Sequence, residues 1–319
     1  MNKYIIYISD KIKYLTMEGR ELMNTIKELI RISQNQKTRR LAIAACEDEE
    51  LLKAIVEAAE LNIIEPILIG NIKDTEKIAK NLSLDIEKYK KIETDNAKEA
   101  ATKAVKLIKL GEADFIMKGL IDTSILLKEV LNKEYGLRKE GLLSHVMIYE
   151  IPTYHKLLTL TDGGMNINPS VEQRISIIKN SANVLKKLGY EKINVACLSA
   201  KEKLNPKMES TVDAKKIEEL WKDQNKTNVI VEGPLALDLA ISKNAAKTKG
   251  FKSNIAGEVD ILLVPNIEMG NGIGKSLTYL AKAKSAGVIM GAKVPIILVS
   301  RADDYETKLN SIALGSVIS

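Results

Sequence analysis

Short apolar runs alternate along the chain with longer segments whose apolar positions recur at helical spacing. The runs are rich in Ile, Leu and Val, as expected of strands that are buried on both faces. Strands are predicted over 41–46, 66–69, 115–117, 193–198, 229–231, 261–264 and 296–299, with a short one at Ile92, and helices over 17–36, 49–61, 74–82, 96–110 and 171–188. Strands that alternate with helices of this length predict βαβ units, and hence an α/β fold with a mostly parallel sheet.

The alternation is interrupted once, between residues 144 and 161. Two strand-like runs, 144–151 and 156–161, flank a short turn that begins with Pro152. This pattern predicts a hairpin and therefore an antiparallel pair of strands. We place a domain boundary near residue 150, since two domains are the expected number for 319 residues.

The charge of the chain does not indicate a nucleic-acid partner. The net charge is +6, but residues 1–40 alone carry five of the six excess positive charges. A phosphate backbone is bound by a clustered basic stripe, which the nearly neutral remainder lacks. No apolar run is long enough to span a membrane, and no signal-peptide pattern opens the chain, so we expect a cytoplasmic protein.

Cysteine and histidine offer little metal or redox chemistry. Two thiols make no disulfide framework, and His145 and His155 make no ligand cluster. Cys46 and Cys197 each end or nearly end an apolar run, and the acidic residues after Cys46 would raise the pKa of its thiol. We expect two buried, inert thiols and no metal site.

Polar or glycine-rich turns follow five of the predicted strands. Ligands of open α/β sheets bind where parallel strands end, so these turns predict one crevice. In one of them Asp162 stands at the strand end, and Asn168 is suited to cap a helix that begins at Pro169, where exposed amides favour an anion. An ordinary capped helix is the simpler explanation of Asn168. The turns are 118–124, 161–170, 232–234, 265–276 and 300–301.

The glycines of the fourth turn, Gly270 among them, would let backbone amides approach a phosphate closely. Residues 274–276, Gly-Lys-Ser, resemble the end of a P-loop, but Met269 stands where that motif requires glycine. The dinucleotide-binding fingerprint is also incomplete. Neither a nucleoside triphosphatase nor a classical Rossmann dehydrogenase is therefore indicated.

Arg301 directly follows the last predicted strand and Ser300. Only seven of the 48 basic residues are arginine, so the chain uses lysine for solubility. An arginine at a strand end in such a chain favours bidentate capture of a phosphate or carboxylate. A surface ion pair with a neighbouring acid is the alternative.

Several segments form a set that is specific enough to indicate a family. They are Met-Lys-Gly-Leu-Ile-Asp-Thr at 117–123, Gly-Leu-Arg at 136–138, Leu-Leu-Ser-His-Val at 142–146, Asn-Pro-Lys-Met at 205–208, Thr-Val-Asp-Ala at 211–214, Glu-Gly-Pro-Leu-Ala-Leu-Asp at 232–238, the run 256–268, Gly-Asn at 270–271 and Ser-Arg-Ala-Asp at 300–303. This set resembles the phosphate acetyl/butyryltransferase family. The resemblance covers the chain from about Lys37 onward. Residues 1–36 lie largely outside it, and part of them is expected to be an N-terminal extension.

The resemblance implies two α/β/α domains with mixed, mostly parallel sheets, as in isocitrate and isopropylmalate dehydrogenases. Domain one would comprise residues 1–150 and 300–319 and domain two residues 151–299, with the active site in the cleft between them. The implied reaction is reversible: butyryl-CoA and phosphate give butyryl phosphate and CoA in a ternary complex, without a covalent enzyme intermediate. Acyl-CoA, phosphate and acyl phosphate are the implied partners, with no metal or redox cofactor, and we expect a homo-oligomer.

The catalytic Ser-Arg pair of the family falls on Ser300 and Arg301. The acetyltransferase branch has a catalytic Asp where this chain has Thr307, which leaves the base to Glu306, Asp303 or Asp304. These departures favour the butyryl branch.

The phosphate ligand in domain one also differs from that of the acetyltransferase branch, which has an Arg in the helix where this chain has Leu127 and Lys128. Thr123, Ser124, Lys128 or Arg138 would then hold the phosphate. The candidate substrate-binding residues are Lys118, Gly119, Thr123, Ser124, Arg138, Asp162, Asn168, Gly233, Pro234, Gly270 and Asn271.

Two alternatives belong to other classes of protein. A decarboxylating dehydrogenase on the same fold would need NAD and a divalent metal, and the sequence shows no obvious cluster of metal-binding Asp residues. A non-catalytic acyl-CoA-binding protein is the other alternative.

Overall fold

The computed structural model describes residues 5–8, 11–14, 23–139, 141–223, 228–300 and 303–319. The chain divides into two compact units, named here for their place in the sequence. The inner unit comprises residues 144–284 with residues 1–25, and the flanking unit comprises residues 26–143 and 285–319. The divisions fall at 143/144 and 284/285, whereas the sequence pattern and the family resemblance predict them near 150 and at 300.

The described strands and helices follow one another in α/β alternation. The strands are β1 (Ile5–Ile8), β2 (Lys11–Tyr14), β3 (Arg39–Ala44), β4 (Ile64–Gly70), β5 (Lys90–Glu93), β6 (Phe115–Lys118), β7 (Ser144–Glu150), β8 (Leu158–Thr161), β9 (Ile193–Leu198), β10 (Val229–Leu235), β11 (Ile261–Leu263), β12 (Lys284–Met290) and β13 (Ile296–Ile297). The helices are α1 (Ile26–Gln34), α2 (Glu49–Glu60), α3 (Ile72–Asn81), α4 (Ala97–Lys109), α5 (Thr123–Val130), α6 (Val171–Lys187), α7 (Glu209–Lys222), α8 (Leu237–Ile241), α9 (Lys243–Thr248), α10 (Ile267–Lys275) and α11 (Tyr305–Ile318). One π-helical turn, Ser276–Leu280, follows α10.

The sheet of the flanking unit has the order β12-β13-β6-β3-β4-β5. All neighbours are parallel except β12 and β13. Helix α11 packs against α1 and α2, and α4 packs against α5. Because β12 pairs with β13, which pairs with β6, the chain joins this unit from residue 285 onward and not only from 300.

The sheet of the inner unit has the order β10-β9-β11-β8-β7. Its strands are parallel except for the antiparallel pair β7 and β8, which confirms the predicted hairpin. Because β7 pairs with β8, the inner unit begins at Ser144, ahead of the predicted boundary. Mixed, mostly parallel sheets are thus present in both units, and the predicted fold class is confirmed.

The predicted helix over 17–36 is longer than the one observed. Helix α1 begins at Ile26, and residues 23–25 are not helical. Residues 17–22 lie outside the part of the chain that the structure describes. No helix in the described ranges is both long and apolar enough to cross a membrane.

Two neighbouring strands of the flanking sheet are joined at their starts by a charged pair. The Asp114 carboxylate accepts hydrogen bonds from the Arg40 backbone amide at 2.7 Å and from Arg40 Nε at 3.2 Å, and its other oxygen lies 2.8 Å from Arg40 Nη2. Partial burial would raise the pKa of Asp114, but the hydrogen bonds from Arg40 outweigh it and hold this pKa below its usual value. The pair fixes β3 beside β6.

The same two strands are also joined at their carboxyl ends. The Gly119 amide donates to the Ala44 carbonyl at 2.8 Å, and the Leu120 amide donates to the Ala45 carbonyl at 2.7 Å. A Cβ atom at residue 119 would lie 1.9 Å from the Ala45 oxygen. Only glycine fits between these turns, so the close approach explains the residue type at Gly119, and its predicted role in binding stays a prediction.

We expect Asp114→Ala to lower the free energy of unfolding by about 1–3 kcal/mol at pH 7, because it removes hydrogen bonds to a charged group. Since the folded pKa is depressed, this stabilisation is present above the unfolded pKa of about 4 and is lost as the pH falls through the folded value. Urea unfolding of both proteins at neutral and at strongly acidic pH measures the difference.

Glu112→Ala is the matched control. Glu112 pairs with Lys90 at 2.9 Å, but the two side chains are 48% and 53% exposed, so its loss should stay below about 0.5 kcal/mol. A loss for Asp114→Ala that is the same at both pH values would contradict the charged pairing.

Candidate active site

The candidate residues collect at the carboxyl edges of the two sheets, one set in each unit. The flanking edge carries the turn 118–124 and the residues Ser300, Asp303 and Asp304, and the inner edge carries the turns 161–170 and 265–271. The candidate residues therefore form two groups, one at the edge of each sheet.

In the flanking unit, strand register places the Ser300 segment beside the turn that follows β6. Ile296 pairs with Ile116 and Ile297 with Met117, in parallel. Both strands therefore end at the same edge of the sheet, where Ser300 is exposed. Arg301 lies outside the described residues, so its predicted role stays a prediction.

The turn after β6 is held from within by Lys118. This lysine is buried, and its ammonium donates to the carbonyls of Ile121 at 2.8 Å and Gly119 at 3.1 Å. Both of these hydrogen bonds are with the turn itself. They fix the geometry of the residues that follow.

Helix α5 begins at this turn, with Thr123 and Ser124 as its first two residues. Their amides have no acceptor within the helix, and Asp122 at the N-cap makes no capping bond with its side chain. The Ser124 side chain is exposed and that of Thr123 is partly exposed. A helix start of this kind suits an anion such as the phosphate that Thr123 and Ser124 are predicted to hold.

Arg138, the other predicted phosphate ligand, is exposed and supports a neighbouring loop. Its Nε donates to the Leu131 carbonyl at 2.6 Å. The Lys293 amide, which precedes β13, donates to the Leu137 carbonyl of the same loop at 2.9 Å.

The carboxylates near Ser300 have different tasks. The Asp303 carboxylate accepts the Ser300 amide at 2.8 Å, and Asp304 caps α11 by accepting the Thr307 amide at 2.8 Å. Glu306 lies exposed in the first turn of α11. Two of the three predicted bases are therefore used to shape the turn.

In the inner unit, Asp162 organises the loop after β8. One carboxylate oxygen accepts the amides of Gly164 and Met165, both at 3.0 Å, and the other accepts the Asn166 side chain. Asp162 is buried. The structure thus gives it a loop-forming role, while its predicted role in substrate binding stays a prediction.

The predicted cap at Asn168 is wrong. Ser170 caps α6, accepting the Gln173 amide while the Gln173 side chain accepts the Ser170 amide, so the helix begins at Val171 and not at Pro169. Ser170 prevails because this reciprocal capping box satisfies two donors, whereas a single cap satisfies one. Asn168 instead accepts a long hydrogen bond, 3.4 Å, from Arg174.

A cavity of about 280 Å³ opens beside Asn168, within the inner unit. The Arg174 guanidinium on its wall is buried and pairs with Asp213 at 2.9 Å. Glu209 and Glu268 add carboxylates to the lining. This mixture of charges suits a ligand with both hydrogen-bond donors and acceptors. Sequence reasoning missed Arg174 as a site residue, although the scarcity of arginine was a signal.

The segment around Gly233 and Pro234 is not a turn after a strand. Both residues are buried within β10, where the register shifts between Glu232 and Leu235. A Cβ atom at Gly233 would lie 2.7 Å from Cys197 Cβ. Close packing of β10 on its neighbour therefore explains this glycine.

The glycine-rich segment 270–274 is also not a loop, because it belongs to helix α10. A Cβ atom at Gly270 would lie 2.5 Å from Gly163 Cα, so the glycine lets the Asp162 loop approach the helix. Asn271 is exposed on the same helix. The predicted loop is therefore a helix, and tertiary contact explains the small residue, while the predicted substrate-binding roles of Gly270 and Asn271 stay predictions.

Both thiols are buried, as predicted. Burial raises the pKa of Cys46 to about 11 and that of Cys197 to about 12. Neither thiol is ionised at neutral pH, and neither is therefore suited to act as a nucleophile.

Similarity to known proteins indicates the family of this chain. The family described as phosphate acetyl/butaryl transferase matches residues 90–316. A phosphate butyryltransferase of Clostridium acetobutylicum is 39% identical, over 93% of this chain and 99% of the relative. A phosphate acetyltransferase of Rickettsia felis is 40% identical, over 85% of this chain and 78% of the relative.

Solved structures give the same result. A branched-chain phosphotransacylase from Enterococcus faecalis V583 has a TM-score of 0.79 at 37% identity, covering 88% of this chain and 99% of that one. A 4-hydroxythreonine-4-phosphate dehydrogenase from Burkholderia phymatum, at 15% identity, shares the fold with a TM-score of 0.55, over 89% of this chain and 99% of its own. The predicted dehydrogenase-like fold is thus confirmed. The chain belongs to the phosphate acetyl/butaryl transferase family and is a phosphate acyltransferase.

Proposed function

We propose that the protein converts butyryl-CoA and phosphate to butyryl phosphate and CoA, reversibly and in a ternary complex. The observation that carries this proposal is the pairing of β13 with β6, which sets the exposed Ser300 beside the open start of α5. The preference for butyryl is supported by the relatives named phosphate butyryltransferase. It is supported also by Thr307 and Leu127, which stand where the acetyltransferase branch has its Asp and Arg.

In the proposed reaction an oxygen of phosphate attacks the thioester carbonyl. The new C–O bond forms as the C–S bond breaks, and CoA leaves as a thiolate that takes up a proton. The amides of Thr123 and Ser124, with Arg301, hold the phosphate, while Ser300 and Arg301 stabilise the charge that develops on the carbonyl oxygen. No enzyme thiol is needed, since CoA supplies the sulfur.

We place the general base at Glu306. Asp303 and Asp304 accept hydrogen bonds from the backbone of the turn, and Glu306 is exposed next to them at the start of α11. In the direction of CoA attack, Glu306 would accept the thiol proton. In the opposite direction it would return that proton to the departing thiolate.

Purified protein should release CoA from butyryl-CoA only when phosphate is present, without NAD and without loss of rate in EDTA. The free thiol is followed with a chromogenic disulfide, and acetyl-, propionyl-, butyryl- and isobutyryl-CoA are compared by kcat/KM. A higher kcat/KM for acetyl-CoA would overturn the butyryl preference alone. A rate that vanished with chelator and returned with magnesium would favour the dehydrogenase alternative.

Arg301→Ala should lower kcat by about 10²–10³, the cost of one preorganised charge stabiliser. Arg301→Lys should restore the rate only partly, because an ammonium provides charge without the two-pronged geometry of guanidinium. Ser300→Ala should act on the same step, so the double variant should fall short of additivity. If Arg301 only formed a surface ion pair, kcat per folded molecule would stay near wild type while Tm fell.

Glu306→Gln should lower kcat by about 10²–10⁴, the usual contribution of a positioned base. Asp304→Asn is the matched control, since asparagine also caps helices well, and its kcat should stay close to wild type. A larger loss in Asp304→Asn than in Glu306→Gln would move the base to Asp304.

A further inference from the structure

Lys308 is a charged residue in a buried part of α11. It is 4% exposed, and the residues that follow it, such as Leu309 and Ile312, are also buried. Removing an ammonium from water is costly unless it is compensated by hydrogen bonds or opposite charge. Its burial therefore requires an explanation from its surroundings.

The Lys308 ammonium points back towards the start of its helix and donates a short hydrogen bond to the Asp303 carbonyl. Side chains on helices lean in this direction, so the contact needs no distortion. No carboxylate in the described part of the chain lies within 4.0 Å of the ammonium. The Glu50 carboxylate lies beyond this distance but interacts electrostatically with Lys308, so the positive charge is compensated by the turn that precedes α11 together with Glu50.

Asp303, the acceptor of this bond, is itself tied to Ser300 by two hydrogen bonds. Its carboxylate accepts the Ser300 amide at 2.8 Å, and its amide donates to the Ser300 carbonyl at 3.1 Å. Lys308, Asp303 and Ser300 therefore form one connected chain of contacts. Glu50 also contacts this turn, because its carboxylate accepts the Tyr305 amide at 3.1 Å.

We propose that Lys308 is a positioning residue for the transfer reaction: its ammonium fixes the Asp303 carbonyl and, through Asp303, the orientation of Ser300. This inference rests on the proposed function, because it assigns to Ser300 a part in the chemistry. A misplacement of about 1 Å in a reacting group can cost about 10²-fold in rate. The effect should therefore fall on kcat more than on KM.

The test compares three substitutions at Lys308. Lys308→Met keeps the length and removes both donor and charge, and we expect kcat to fall about 10- to 100-fold with KM changed far less. Lys308→Gln keeps a donor without the charge, and Lys308→Arg keeps both, so each should retain more of kcat than Lys308→Met does. Tm is measured on the same preparations, and butyryl-CoA with phosphate is the substrate pair.

Ser316→Ala is the matched control for stability. Ser316 is buried on the same helix and donates to the Ile63 carbonyl at 3.3 Å, far along the helix from the turn. It should lower Tm without changing kcat per folded molecule.

If Lys308→Met behaves like Ser316→Ala, with lower Tm and unchanged kcat, the inference is overturned while the proposed function stands. Equal kcat in the Gln and Met variants would also overturn it, because charge alone would then matter. If Lys308→Met does not fold, the comparison of Gln and Arg with wild type decides: a lower kcat in Lys308→Gln with a smaller loss in Lys308→Arg supports the inference, and wild-type kcat in both overturns it. A wild-type protein without acyl transfer would instead refute the proposed function.

Discussion

The parallel pairing of β6 with β3 on one side and β13 on the other is the constraint on which the flanking edge depends. Three strands that run in one direction must end at one edge, and this edge is where Lys118, Ser300 and the start of α5 are placed. The pairing is fixed at one end by Arg40 and Asp114 and at the other by the contact of Gly119 with Ala45. The pairing of the strands thus determines which candidate residues lie together at this edge.

Much of the fold could be predicted from the sequence because its signals are local. Buried strands such as β9 and the hairpin of β7 and β8 follow from apolar runs and a turn, without knowledge of partners. Predictions were wrong where a distant contact decided the outcome. Glycines of α10 resemble a loop in the sequence, but Gly270 is small because the loop at Gly163 rests on it.

The candidate site was predictable in position more than in role. Strand ends locate the edge, yet Asp303 and Asp304 serve the backbone of their turn, which no spacing of residues indicates. The sequence gives no signal for the proposed role of Lys308. Lysine is abundant in this chain, and the sequence does not show that Lys308, like Lys118, is buried.

The two cysteines are divided evenly between the units, with Cys46 in the flanking unit and Cys197 in the inner unit. Because burial keeps both thiols protonated and covered, a reagent reaches either one only when the surrounding sheet opens. Each unit therefore contains one thiol whose reactivity reports the opening of that unit. The rate at which each thiol is alkylated under native conditions reports the opening free energy of its own unit, without any added label.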